Sequence, residues 1–209
     1  MPDHPQLSRS RRPGFTLIEL LVVISIGAVL LVLSVGSLQN MIRSTDLSAS
    51  AATVINTLNL ARQTALSSNH PVEVRFYKVS PQKTTGTLAY RALGIYEINE
   101  SGQRLIQKLD YLTGATELAS TETHGTLLFY TPTASAALTA SGTCDYRYFR
   151  FLPDGSTNLN TQPDTGADTW HVMLYATNAP PSELKLPANY ISIQLDPVSG
   201  RTKSFQPGM

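Results

Sequence analysis

The sequence predicts an α+β protein in which one long N-terminal helix is followed by an antiparallel β-sheet domain. Three observations predict it. Between Phe15 and Leu38 only Glu19 is ionisable, so an apolar segment opens the chain. Helical spacing then continues without a proline as far as Ser68. From Pro71 onward apolar and polar residues alternate, the period of a half-buried strand.

The chain has 209 residues, room for one domain and an anchor. Residues 1–14 form a short leader with Arg9, Arg11, Arg12 and Asp3, a net charge of +2. Residues 15–38 follow as an apolar helix. Leu20 to Val35 carries no charge, and with its flanks the segment has about the 20 residues that span a bilayer. Basic residues ahead of it predict a cytoplasmic N-terminus, a single pass and an exported remainder. An ordinary secretory signal has a shorter apolar core and a small-residue cleavage site after it, which this segment lacks. Glu19 is the anomaly, because a carboxylate in hydrocarbon costs several kcal/mol unless it is paired or has a function.

Residues 39–69 continue as an amphipathic stalk. Leu38, Ile42, Thr45, Ala49, Ala52, Ile55, Leu58, Ala61 and Ala65 recur every three or four positions. The Ala and Leu stripe from Ala51 to Ala65 is the face expected to pack on the sheet. Asn69-His70-Pro71 is the expected stop, since the residue before a proline is pushed out of the helical region. A helix from Phe15 to Ser68 would be roughly 80 Å long. Gly36 is a weak point at which a local break is conceivable.

Residues 70–209 form the sheet domain. Val72, Val74 and Phe76 alternate with Glu73, Arg75 and Tyr77 in the first strand. Further strands are expected over Leu88–Ile98, Gln103–Leu109, Thr126–Tyr130, Tyr146–Leu152, His171–Ala176, Tyr190–Leu195 and Arg201–Phe205. Glu100-Ser101-Gly102, Pro153-Asp154-Gly155 and Asp196-Pro197-Val198-Ser199-Gly200 supply turns. Thr131–Thr143 and Asn158–Thr169, rich in Thr, Ser, Asn and Gly, read as exposed loops.

Little here suggests chemistry. His4, His70, His124 and His171 have no metal-ligand spacing, and no nucleophile-elbow, phosphate-loop or paired-cysteine motif occurs. Asp154, Asp164 and Asp168 do not fit an EF-hand loop, so no metal and no cofactor is assigned. The single cysteine, Cys144, excludes an intramolecular disulfide and reads as a small core residue. Trp170 reads as a core or loop-anchoring aromatic, and His70 as a turn residue. From Phe15 onward there are 13 basic and 14 acidic residues, a balance that predicts no nucleic-acid partner. The protein is expected not to be an enzyme.

Gly14-Phe15-Thr16-Leu17-Ile18-Glu19-Leu20-Leu21-Val22-Val23-Ile24 resembles the processing and methylation signature of type IV pilins and type II secretion pseudopilins. Ala61-Arg62-Gln63-Thr64-Ala65, Phe151-Leu152-Pro153-Asp154-Gly155-Ser156 and Asp196-Pro197-Val198-Ser199-Gly200-Arg201 are similar to segments of GspH- and FimT-type minor pseudopilins. The whole chain also resembles prepilin-like proteins of multi-gene cassettes in Verrucomicrobia-type bacteria. The resemblance implies a pilin-like fold and a prepilin peptidase/methyltransferase that cuts between Gly14 and Phe15 and methylates Phe15. It also implies that Glu19 serves assembly with other pilin-like subunits. The implied location is the bacterial inner membrane, with the sheet domain periplasmic. The implied role is a minor pseudopilin-like subunit of a type II secretion pseudopilus. A minor type IV pilin that binds DNA or a surface ligand remains the alternative, and a plain membrane-anchored sheet domain that never polymerises is the fallback.

Overall fold

The computed structural model describes residues 14–81, 86–139, 142–163, 169–178, 180–182 and 185–207, with the side chains of 32–40, 138 and 139 left out. The chain divides into two compact units, Met1–Met41 and Ile42–Met209.

Helix α1 runs from Leu17 to Ser68 and continues without interruption through Gly27 and Gly36. The local break considered at Gly36 therefore does not occur. In the first unit the described apolar side chains are bare, with Leu17, Ile18, Leu21, Val23 and Ile24 all exposed. Among the described residues no helix is long and apolar enough to cross a membrane, so the expected span over 15–38 rests on the sequence.

In the second unit the helix buries Leu47, Ala51, Val54, Leu58, Ala61 and Ala65, a strict four-then-three spacing. Leu47, Val54 and Leu58 supply most of the buried area, and the alanines between them are buried with them. The face expected over Ala51 to Ala65 packs through Ala51, Leu58, Ala61 and Ala65, with Ile55 partly buried against the core, whereas Ile42, Thr45, Ala49 and Ala52 of the longer spacing face outward. Two overlapping apolar stripes exist in the sequence, and the one carrying Leu47 and Val54 buries more side-chain area. The helix stops at Asn69, whose φ of 54° is the left-handed conformation that ends helices.

Among the described residues nine strands follow, all antiparallel: β1 (Val72–Val79), β2 (Ala89–Asn99), β3 (Gly102–Tyr111), β4 (Thr116–Leu118), β5 (Thr133–Thr139), β6 (Gly142–Phe151), β7 (Trp170–Ala176), β8 (Tyr190–Leu195) and β9 (Thr202–Phe205). Their order is β5-β6-β1-β2-β4-β7-β8-β9, with β3 also paired to β2. The strand β1 lies between β6 and β2, so Val74 stands opposite both Ile95 and Phe149. Val72, Val74 and Phe76 join the helix stripe in the main core.

Three sequence expectations need correction. Thr126–Tyr130 is a short helix, α2, not a strand; the amides of Leu128 and Phe129 both donate to Gly125 O. Five residues are too few for periodicity to separate the two states. Thr131–Thr143 is not a loop, because β5 pairs there with β6, which begins at Gly142. Thr133-Ala134-Ser135-Ala136 alternates only in small residues, a weak strand signal, and pairing with β6 holds it. The short strand β4 was not foreseen. Cys144 is only half-buried, at the edge of a second apolar cluster around Tyr77 and Tyr146. Trp170 fills both readings, since it lies in the core and donates its Nε1–H to Asn160 O at 2.8 Å.

The face of β1 turned away from the helix stripe buries charge. Glu73 accepts from Arg75 Nε at 2.6 Å and Arg150 Nε at 2.9 Å, and Arg75 donates to Gln103 at 2.5 Å. The Arg75 guanidinium also lies over the Tyr96 and Tyr146 rings, 4.0 and 4.7 Å from their centres. One network thus ties β6, β1, β2 and β3 in register.

Leu58 is 1% exposed and Ile42 60%. Leu58→Ala should cost about 2–5 kcal/mol, and Ile42→Ala within about 0.5 kcal/mol, in denaturant unfolding of the full chain; equal losses would contradict the packing described. A second prediction concerns Glu97, whose carboxylate accepts from Arg104 Nη2 at 2.5 Å and lies 3.4 Å from His70 Nδ1. The Arg104 guanidinium holds this carboxyl below its ordinary value of 4.5. A depressed folded-state value contributes stability above pH 4.5 that is lost as the pH falls. Glu97→Gln should therefore lower the melting temperature at neutral pH by more than it does well below pH 4.5. A deficit equal at both pH values would refute this role.

Candidate functional site

Two regions gather the residues singled out in the sequence. The first is the start of α1. Gly14 is exposed and a Cβ there would meet nothing within 4 Å, while Phe15 is 80% exposed. Both precede the first helical residue, so the peptide bond between them lies outside helical hydrogen bonding. Glu19 sits in the first helical turn and forms a reciprocal cap with Thr16. The Glu19 amide donates to Thr16 Oγ1 at 3.3 Å, and the Thr16 amide and hydroxyl each approach Glu19 Oε2 at 3.4 Å. This is a capping box, the T-x-x-E pattern that satisfies orphan amides at a helix start. Thr16-Leu17-Ile18-Glu19 spells it, and the sequence reading passed over it. The positive end of the helix dipole also favours an anion at this position. The structure brings Thr16 and Glu19 together; whether the Gly14–Phe15 bond is cut or Phe15 methylated is a matter of processing.

The second region lies inside the domain, where the helix meets its loops through polar contacts. Ser50 Oγ donates to Thr113 O at 3.3 Å and accepts from the Thr113 amide at 2.9 Å. Thr57 Oγ1 donates to Asp110 at 3.0 Å. Arg62 makes the most connected contact, its Nε–H shared between Gly155 O at 3.2 Å and Ser199 O at 2.9 Å. The three short segments that resemble minor pseudopilins therefore converge at one point. Thr157 adds a direct tie between the two turns, donating its amide to Pro197 O at 2.8 Å. Gly155 and Gly200 have φ of 83° and 64°. A Cβ on Gly200 would collide with Gly155 O and lie 3.1 Å from Arg62 Cδ. The glycines give the turns their left-handed conformation and leave the room that Arg62 occupies.

Other candidate groups do not assemble into a reactive centre. Asp154 accepts from the Ser156 hydroxyl at 2.6 Å and amide at 2.9 Å, contacts that hold its carboxyl below the ordinary value. Asp164 and Asp168 lie outside the described residues. Among the described residues no three metal-ligating side chains gather. His171, in β7, lies near the Thr169 and Thr123 carbonyls at 3.2 and 3.3 Å, and His124 near Ser182 O at 3.2 Å, so both face backbone carbonyls. Glu117 is buried against Arg91 and accepts from the Tyr175 hydroxyl at 3.0 Å. Burial, and then the neighbouring Glu117 charge, push the Tyr175 phenol up.

Residues 9–35 match the family model of the prokaryotic N-terminal methylation motif. Residues 50–177 match that of the Type II transport protein GspH. No curated protein matches. Among solved structures, the chain is similar to the minor pseudopilin EpsH from the type 2 secretion system of Vibrio cholerae. The similarity is 12% identity over 78% of this chain and 99% of that one, with a TM-score of 0.45, too distant to carry an argument.

The geometry of the junction gives a direct prediction. Gly200→Ala should destabilise the domain by about 1–3 kcal/mol through backbone strain and collision. In contrast, Gly27→Ala, with nothing within 4 Å, should be neutral or stabilising. Thermal melts of the two full-length variants decide it, and a neutral Gly200→Ala would count against the junction as drawn.

Proposed function

The chain belongs to the family of the Type II transport protein GspH, and from that premise we propose that it is a minor pseudopilin-like structural subunit of a type II secretion pseudopilus. The observation that carries the reading is the union, in one chain, of a methylation motif over residues 9–35 with a GspH domain over residues 50–177. The first marks a subunit processed at a membrane, and the second specifies the kind of subunit.

On this reading the chain enters the inner membrane with its N-terminus cytoplasmic and its sheet domain periplasmic, as the basic leader favours. A prepilin peptidase/methyltransferase cuts between Gly14 and Phe15 and methylates the new amine of Phe15. That bond precedes the helix and has an open surface at Gly14, which supports access by a peptidase. Glu19 then works in assembly. Before it, among the described residues, the carboxylate has the weak, 3.3–3.4 Å cap with Thr16. An unpaired carboxylate in the bilayer is costly, and the free amine on Phe15 of a subunit already in the filament neutralises it. The role is structural, with binding to other pilin-like subunits in place of catalysis.

The test is to co-express the chain with a prepilin peptidase and determine the mature N-terminus by mass spectrometry. The expected product begins at methylated Phe15, and a product that retains Met1 removes the reading. Glu19→Ala should still enter the membrane and yet fail to join a filament; normal incorporation would show that this carboxylate has no part in assembly.

A further inference from the structure

Among the described residues three strands have a neighbour on one side only: β3, β5 and β9. Such an edge offers unpaired backbone N–H and C=O groups to any extended chain, and proteins commonly blunt it with charge, brevity or irregularity. Strand β9 has four residues and carries Lys203. Strand β3 carries the exposed Arg104 and Lys108, and its pairing with β2 shifts register twice. Strand β5 differs. Over Thr133–Ala137 its register with β6 is regular, and it holds no charge and no proline.

One bond shows which way its backbone points. The Tyr148 amide donates to Pro132 O at 3.2 Å, which makes Pro132 and Tyr148 a hydrogen-bonded pair. Bonded and non-bonded pairs alternate, so Ala134 and Ala136 face β6, while Thr133, Ser135 and Ala137 point their N–H and C=O away from it. Among the described residues these outward groups make no hydrogen bond. The three side chains are exposed, and the Ser135 hydroxyl turns back to donate to Asp145 at 2.6 Å.

This edge is its own complement. A two-fold axis beside Ser135, normal to the sheet, sets Ser135 opposite Ser135 of a second copy and Thr133 opposite Ala137. Every outward donor then meets an outward acceptor, with two bonds at the Ser135 pair and two at each Thr133–Ala137 pair. No charged side chain of the strand opposes itself, and Ala134 meets Ala136 beside the cluster around Tyr146. In β9 the outward residues are Thr202 and Ser204, because the Asp196 amide donates to Arg201 O. The corresponding axis there passes beside Lys203 and sets like charges together. We propose that β5 is a self-association edge, at which two copies of this chain join antiparallel about Ser135 into one continuous sheet. Backbone pairing with little apolar area makes the contact weak and concentration-dependent.

The axis separates one residue from its neighbours. Ser135 stands opposite its own copy, with Cα atoms about 5.5 Å apart, inside the range a disulfide spans. Ala137 is about 13 Å from Ala137 of the second copy, which lies four residues along the partner strand. The test uses the full chain in detergent micelles, with Cys144→Ser removing the native thiol. On mild oxidation Ser135→Cys should form a disulfide-linked homodimer at least tenfold faster than Ala137→Cys. Equal rates, or no dimer from Ser135→Cys, would overturn the proposal. A benzophenone attached to the same thiol in membranes should mark β5 of a second copy; marking a different chain instead would also overturn it. Ser135→Pro replaces an N–H that the fold does not use, and it should abolish any rise of sedimentation mass with concentration. The two cysteine variants decide the matter if the proline disturbs β5. Glu19→Ala should leave the cross-link unchanged, so this edge and the filament reading stand or fall separately.

Discussion

The domain depends on one packing constraint: the stripe Leu47, Ala51, Val54, Leu58, Ala61 and Ala65 must lie against the sheet. Half of these residues are alanine, which contributes little area by itself. They leave room between helix and sheet that side chains from the strands can fill. Phe76, Phe149 and Phe151 then supply bulk from the sheet side, where the helix offers none. Large residues from one layer meet small residues from the other. A strand order with β1 between β6 and β2 is what brings Val72, Val74 and Phe76 under the stripe.

Apolar packing fixes the approach of helix and sheet more firmly than it fixes their sliding, because an alanine stripe repeats along the axis. Polar contacts at intervals remove that freedom. Ser50 with Thr113, Thr57 with Asp110, and Arg62 with Gly155 and Ser199 pin the helix at its start, middle and end within the domain. Each is a modest contribution, on the order of 1 kcal/mol for a net hydrogen bond. Their effect is specificity of register more than strength. The Glu73, Arg75 and Arg150 network does the same across strands on the far face, where a one-residue slip would leave buried charge unpaired.

Much of this was legible in the residues. The stop at Asn69, the glycine turns at 102, 155 and 200, and the strand Tyr190–Leu195 follow from local rules, and the structure has them where those rules put them. The misreadings have physical causes. Ile42, Ala49 and Ala52 form a stripe as regular as the true one, and only the sheet's shape selects between them. Strand β5 alternates only small residues, Ala134 and Ala136 between Thr133 and Ser135, a weak signal even though its partner β6 follows directly in the chain. Arg62 could not be read as a junction because its two acceptors lie in turns far along the chain. The capping box of Thr16 and Glu19 was readable and was eclipsed by the more conspicuous apolar run around it.

That box sharpens the meaning of Glu19. A carboxylate at a helix start has an ordinary structural use, and its presence does not by itself demand a partner. What separates the two roles is the strength of the local contact. Oxygen and nitrogen atoms at 3.3–3.4 Å are at the weak end of hydrogen bonding. A charge-assisted bond from a free amine is shorter and about twice as strong as a neutral one. Thr16 therefore holds Glu19 loosely enough for an ammonium group to displace it, and the displaced threonine still retains helix-capping capacity through its own hydroxyl. Under the proposed assembly role, a cap that orients the carboxylate without satisfying it fully suits a residue that passes from a precursor to a neighbouring subunit.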